Sequence, residues 1–113
     1  MTVPAIYDFT VQRNSTVPLD ITFKAGGIVT DITGYTFAAS VFSTDGTQNF
    51  ANFSVTYTNR SQGKVSFKLT PAQTATFTPN ELIYDVKYKE PSNDEFYLLE
   101  GTIFVSDGLT TIS

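Results

Sequence analysis

Apolar and polar residues alternate with a period of two along almost the whole chain, as expected for strands with one face on a core and one in water. The first run is Tyr7, Phe9 and Val11, separated by Asp8 and Thr10. In the second, Val17, Leu19, Ile21 and Phe23 alternate with Pro18, Asp20, Thr22 and Lys24. Pro18 has no N–H for a ladder bond, which puts this strand at a sheet edge or Pro18 at its start. Ala25-Gly26-Gly27 predicts a turn. A short segment, 28–32, then leads through Thr33-Gly34 to a long strand over 35–43 with Phe37, Ala39 and Val41 inward. Thr44-Asp45-Gly46-Thr47 predicts the next turn, since glycine takes positive φ without steric cost. Phe53, Val55, Tyr57 and then Val65, Phe67, Leu69 read as a hairpin across the polar loop 59–63.

One segment breaks the alternation. Thr70-Pro71-Ala72-Gln73 combines a capping residue, a proline suited to the first helical position and a glutamine that completes a capping box. The helical signal ends by Thr78-Pro79, so it predicts a short turn near 71–76. Tyr84, Val86 and Tyr88 then alternate with Asp85, Lys87 and Lys89, and Pro91-Ser92-Asn93-Asp94 turns the chain into a last strand over 95–106. About seven short strands with regularly spaced turns predict an all-β fold, an immunoglobulin-like antiparallel β-sandwich formed by a single domain over 1–113. Shared parity predicts that Leu19, Ile21, Phe37, Val41, Val55, Phe67, Val86 and Ile103 lie together between two sheets.

Two strands carry apolar residues on both faces. In the last strand Leu99, Ile103 and Val105 have one parity, Leu98 and Phe104 the other. In the strand over 35–43, Ala38 and Phe42 oppose Phe37 and Val41. One buried face suffices for a sandwich strand, so the second set needs another cover. An internal cover would come from the N-terminal segment around Val3 and Ile6 or from the loop near Phe50. Alternatively, Phe42, Leu98 and Phe104 mark a contact with another subunit.

Composition narrows the chemistry. The chain has no cysteine and no histidine, which removes disulfides, thiol nucleophiles, soft metal ligands and the commonest general base. No glycine-rich loop precedes a helix. Asp20, Asp31, Asp85 and Glu100 fall on outer faces or strand ends with no shared cleft implied, so a carboxylate pair for glycoside hydrolysis is not indicated. The turn residues Asp45, Asp94 and Asp107 lack the dense spacing of a calcium loop. These features predict no enzymatic activity, no cofactor and no tightly bound metal. The net charge of −4 and the scatter of the seven Lys and Arg residues argue against nucleic-acid binding. No apolar run is long enough to span a bilayer, and the N-terminus lacks a secretory pattern, so the expected product is made soluble, in the cytosol of whichever cell translates it. A carbohydrate- or receptor-binding module is the alternative, with Tyr57, Tyr88 and Tyr97 as candidate sugar platforms; the absence of tryptophan counts against it.

Three segments taken in order carry a family likeness. They are Tyr7-Asp8-Phe9-Thr10 through Asp31-Ile32-Thr33-Gly34-Tyr35-Thr36, Gly63-Lys64-Val65 through Thr70-Pro71-Ala72-Gln73-Thr74, and Tyr84-Asp85-Val86 through Leu99-Glu100-Gly101-Thr102-Ile103. Together they resemble the small immunoglobulin-like virion proteins of tailed phages, particularly of the T4-like cyanophage type. They are also similar to the N-terminal domain of baseplate upper proteins of lactococcal phages. The resemblance implies a subunit of the tail, baseplate or head surface, held among other virion proteins as a symmetric homo-oligomer. It brings no catalytic residues. Where such proteins often have glycine near the first turn, this chain has Arg13-Asn14-Ser15, and Asn14 tolerates left-handed geometry.

Overall fold

The structure, a computed structural model, describes residues 5–108. In chain order the elements are β1 (Ala5–Ile6), β2 (Phe9–Gln12), β3 (Val17–Thr22), β4 (Lys24–Ala25), β5 (Ile28–Val29), β6 (Thr36–Phe42), β7 (Asn49–Asn52) and β8 (Ser54–Asn59). A 3-10 turn (Arg60–Gln62), β9 (Lys64–Leu69), α1 (Pro71–Thr74), β10 (Glu81–Lys89) and β11 (Glu95–Ser106) follow. A six-stranded sheet runs β1-β11-β10-β6-β7, with β2 also on β11. A three-stranded sheet runs β3-β9-β8, and β4 and β5 form a small separate ribbon.

The fold is all-β, but the large sheet is mixed rather than antiparallel. β1 and β2 both lie parallel to β11, pairing Ala5 with Leu99 and Val11 with Val105. Alternation reports which face a residue takes and is silent on strand direction, so this departure has no signature in the pattern. Parallel neighbours need a long connection. Here nearly the whole chain supplies it, because the first and last strands are the ones that meet.

The buried faces of the two larger sheets share one hydrophobic cluster. Phe37, Val41, Phe67, Val86 and Ile103 are buried in it, as their parity predicts. Leu19, Ile21 and Val55 face the same cluster but are only half-buried. They sit on β3 and β8, the two edges of the small sheet, where no strand covers them laterally. Pro18 lies on β3, an edge strand, as its missing N–H requires. Phe67 contacts Phe37 and Phe53 edge-on, at centroid distances of 6.4 and 6.3 Å.

Local chemistry shapes the connections. In α1, Gln73 N–H donates to Thr70 Oγ1 (3.2 Å) and Thr70 N–H to Gln73 Oε1 (2.8 Å), completing the capping box with Pro71 in the first turn. Asn14 takes φ 64°, the left-handed geometry anticipated for it. Beside it, the Arg13 guanidinium donates to the carbonyls of Phe77 (2.5 Å) and Thr78 (3.1 Å) and pairs with Asp107 (2.8 Å). That arginine ties the β2–β3 turn to the segment after α1 and to the end of β11. Thr74 is buried but satisfied: its hydroxyl donates to the Ser15 carbonyl (2.9 Å) and accepts from Ser15 N–H (3.0 Å). Gly63 combines φ +70° with a close approach, since a Cβ there would meet the Thr30 and Phe23 carbonyl oxygens at 2.6 and 2.7 Å.

Candidate interaction surface

β10 places Leu82, Tyr84, Val86 and Tyr88 in the core, so Ile83, Asp85, Lys87 and Lys89 project from the outer face of the large sheet. Ladder partners extend this face into rows. Ile83 is level with Phe42 on β6 and Thr102 on β11, and Asp85 with Ser40 and Glu100. At one end, Glu81 is level with Phe104, which in turn pairs with Thr10 on β2. Phe104 is 43% exposed although Ile103 and Val105 on either side are buried. Phe42 is half-buried on the same outer face.

The third expected contact residue, Leu98, does not belong here. Val86 pairs with Leu99 but Lys87 with Tyr97, so Leu98 is the extra residue of a β-bulge. Strict alternation fails at that point, and Leu98 packs half-buried against the core cluster with Phe96 and Leu99. The sequence therefore places Phe42 and Phe104 on one face correctly and assigns Leu98 to the wrong one.

Among the described residues, neither the N-terminal segment nor the loop near Phe50 closes this face. Phe50 occupies a bulge in β7 and packs toward the core, edge-on to Phe77 at 6.3 Å. Ile6 lies beside the outer face but remains 75% exposed; Val3 is outside the described residues. What results is an open groove of about 360 Å3, with Ile6, Phe42 and Ile83 as apolar lining and Asp8, Asp85 and Glu100 as polar lining.

The electrostatics of the groove are uneven. Asp8 is occupied, accepting the Thr102 N–H at 2.8 Å. Asp85 and Glu100 stand directly opposite each other, an expensive arrangement for like charges in a ladder. Partial burial, then the Glu100 charge, push the Asp85 carboxyl up from its ordinary value, with Lys87 opposing weakly. Lys87 itself pairs with Glu95 at 2.9 Å and reaches over the Tyr97 ring at 5.2 Å. Among the described residues the ion pairs are Lys87–Glu95 and Arg13–Asp107, so neither Asp85 nor Glu100 has one. This corrects the sequence-based expectation that Asp85 and Glu100 share no cleft. The β10–β11 register brings them together across 15 positions of chain, and nothing in local spacing announces it.

The N-terminal wall is held by a close approach. A Cβ on Gly101 would collide with the Tyr7 carbonyl. Tyr84 donates its hydroxyl to that same carbonyl, and Tyr7 N–H donates to Glu100 O at 2.9 Å. Burial raises the Tyr84 phenol well above its ordinary value, with the neighbouring Tyr7 and Asp8 adding to the shift. The phenol therefore stays protonated and able to donate.

The other candidate residues fall elsewhere. Tyr88 is buried among Phe23, Tyr35, Phe37 and Phe96. Tyr57 accepts the Phe37 N–H at 2.9 Å and lies beneath the Arg60 guanidinium at 3.7 Å. Only Tyr97 of the three tyrosines is exposed, and Lys87 stands over it. Asp20 accepts from Ser66 Oγ. Asp31, Asp45 and Asp94 accept from hydroxyls two residues away within their own turns. Among the described residues no three carboxylates are grouped so as to hold a metal ion, and no helix is long and apolar enough to cross a membrane. No protein-family model matches the chain, and no curated protein matches it.

Proposed function

We propose that this chain is a non-enzymatic structural subunit of a tailed-phage virion, a tail, baseplate or head-surface accessory component that works through protein–protein contacts. The observation that carries the reading is the outer face of the large sheet, where Phe42, Ile83 and Phe104 lie together on a surface that the described residues leave open. Apolar side chains grouped on a sheet face suit a subunit contact. Burying each such side chain contributes roughly 1.5–3 kcal/mol before association costs. The strand order supports an immunoglobulin-like reading of the fold: β3-β9-β8 on one side, β11-β10-β6-β7 on the other, with β2 alongside β11. The burial of Tyr88 and the stacking of Arg60 on Tyr57 favour protein contacts over a sugar platform.

Quantitative mass spectrometry of purified particles tests the proposal, comparing wild type with Phe104→Ser. The expected result is a fixed copy number per particle for wild type and a loss of incorporation for a variant that still folds. Absence of the wild-type chain from particles would overturn the reading.

A further inference from the structure

We propose that the outer-face groove docks an extended segment of a partner protein that presents one arginine or lysine between aliphatic side chains. The inference rests on reading this sheet face as a contact surface, and it adds the chemistry of what the surface receives. The groove is lined by Ile6, Phe42 and Ile83, which call for apolar contacts. Charge then selects the occupant, because Asp85 and Glu100 stand opposite each other with no ion-pair partner among the described residues. Lys87, two residues along β10 from Asp85, is held by Glu95. In the isolated chain this pairing works against the sheet. A single incoming cation placed between the two carboxylates offsets their mutual repulsion, and a guanidinium is suited to bridge them through its planar fork. The partly desolvated setting, visible in the raised Asp85 carboxyl, strengthens that attraction relative to open water. Spacing fits an extended segment: Ile83 lies two residues along β10 from Asp85, about 7 Å. A cation over the carboxylates therefore puts the side chain two positions along over Ile83 and Phe42.

The test uses the full chain and the peptide Ac-Val-Thr-Arg-Thr-Val-NH2, titrated by amide NMR, with a control in which glutamate replaces arginine. Saturable shifts at Ile83, Asp85 and Glu100 are expected with the arginine peptide and none with the control. Asp85→Asn/Glu100→Gln should weaken binding about tenfold or more. The same double variant should melt about 2–4 °C higher, because it relieves the like-charge pair. Wild-type affinity in the double variant would overturn the inference. So would a lowered melting temperature, which would make the carboxylates structural. If Phe104→Ser abolishes incorporation into particles while the double variant binds the peptide unchanged, the cation inference fails and the contact-surface reading stands. If Phe104→Ser incorporates normally, the contact-surface reading fails, and the titration alone decides the cation.

Discussion

Along β10, Leu82, Tyr84, Val86 and Tyr88 are buried, while Ile83, Asp85, Lys87 and Lys89 between them face outward. The two faces share a backbone, a register and the same neighbouring strands, yet they obey different rules. Every inward residue is buried in the shared hydrophobic cluster. On the outward face two carboxylates stand opposite each other and Phe104 is left exposed. Folding explains the first face completely and would be better served by a different second face.

The largest effect should come from emptying the inner face. Phe67→Ala removes a fully buried ring that contacts Phe37 and Phe53, and it should cost about 3–5 kcal/mol in urea unfolding. A loss of less than about 1 kcal/mol would mean that this face is not the folding core.

Gly101→Ala probes the boundary between the faces. Its new Cβ points at the Tyr7 carbonyl, so β1 must lift from β11 or the strand must shift. The expected cost is about 1–3 kcal/mol, accompanied by lost hydrogen-exchange protection at the Tyr7 amide. Retained protection would show that the N-terminal wall adapts without separating.

On the outer face the sign should reverse. Asp85→Asn should stabilise the isolated chain by about 0.2–1 kcal/mol at neutral pH. Burial, then Glu100, raise the folded-state pKa of Asp85 above the ordinary 3.8. The folded chain therefore holds that proton more tightly, and the penalty of ionisation develops as pH rises through the carboxylate range. Thermal melts at pH 7 and well below pH 3.8 should show the gain of the variant only at the higher pH. Phe104→Ser, by contrast, should change stability by no more than about 0.5 kcal/mol. A multi-kcal loss there would turn Phe104 into a core residue and remove the contrast between the faces.

A turn remote from both faces provides the smallest effect. Hydrogen bonds from Ser43, then the Thr47 amide and hydroxyl, hold Asp45 down to about 2. Its folded pKa lies below the unfolded 3.8, so its contribution is complete above 3.8 and disappears as pH falls to about 2. The stability difference between wild type and Asp45→Asn should narrow across that window. A constant difference would place the Asn effect in the turn geometry instead of the charge.

Much of this molecule is legible residue by residue. Alternation alone determined which residues of β6, β9 and β10 enter the core, because a pleat sends successive side chains to opposite faces. Thr70-Pro71-Ala72-Gln73 determined the helical turn, and Pro18 the edge position of β3, because caps and missing N–H groups act locally. Phe77 was not legible: it is fully buried outside any alternating run, in the segment that Arg13 holds from across the fold. Three decisions belonged to the tertiary structure alone. The pairing of the first and last strands set β1 and β2 parallel to β11, and the bulge at Leu98 turned a predicted contact residue toward the core. The β10–β11 register set Asp85 against Glu100 beside Phe42. Each depends on which backbone lies beside which and with what offset, and a period of two is the same for every partner, direction and offset.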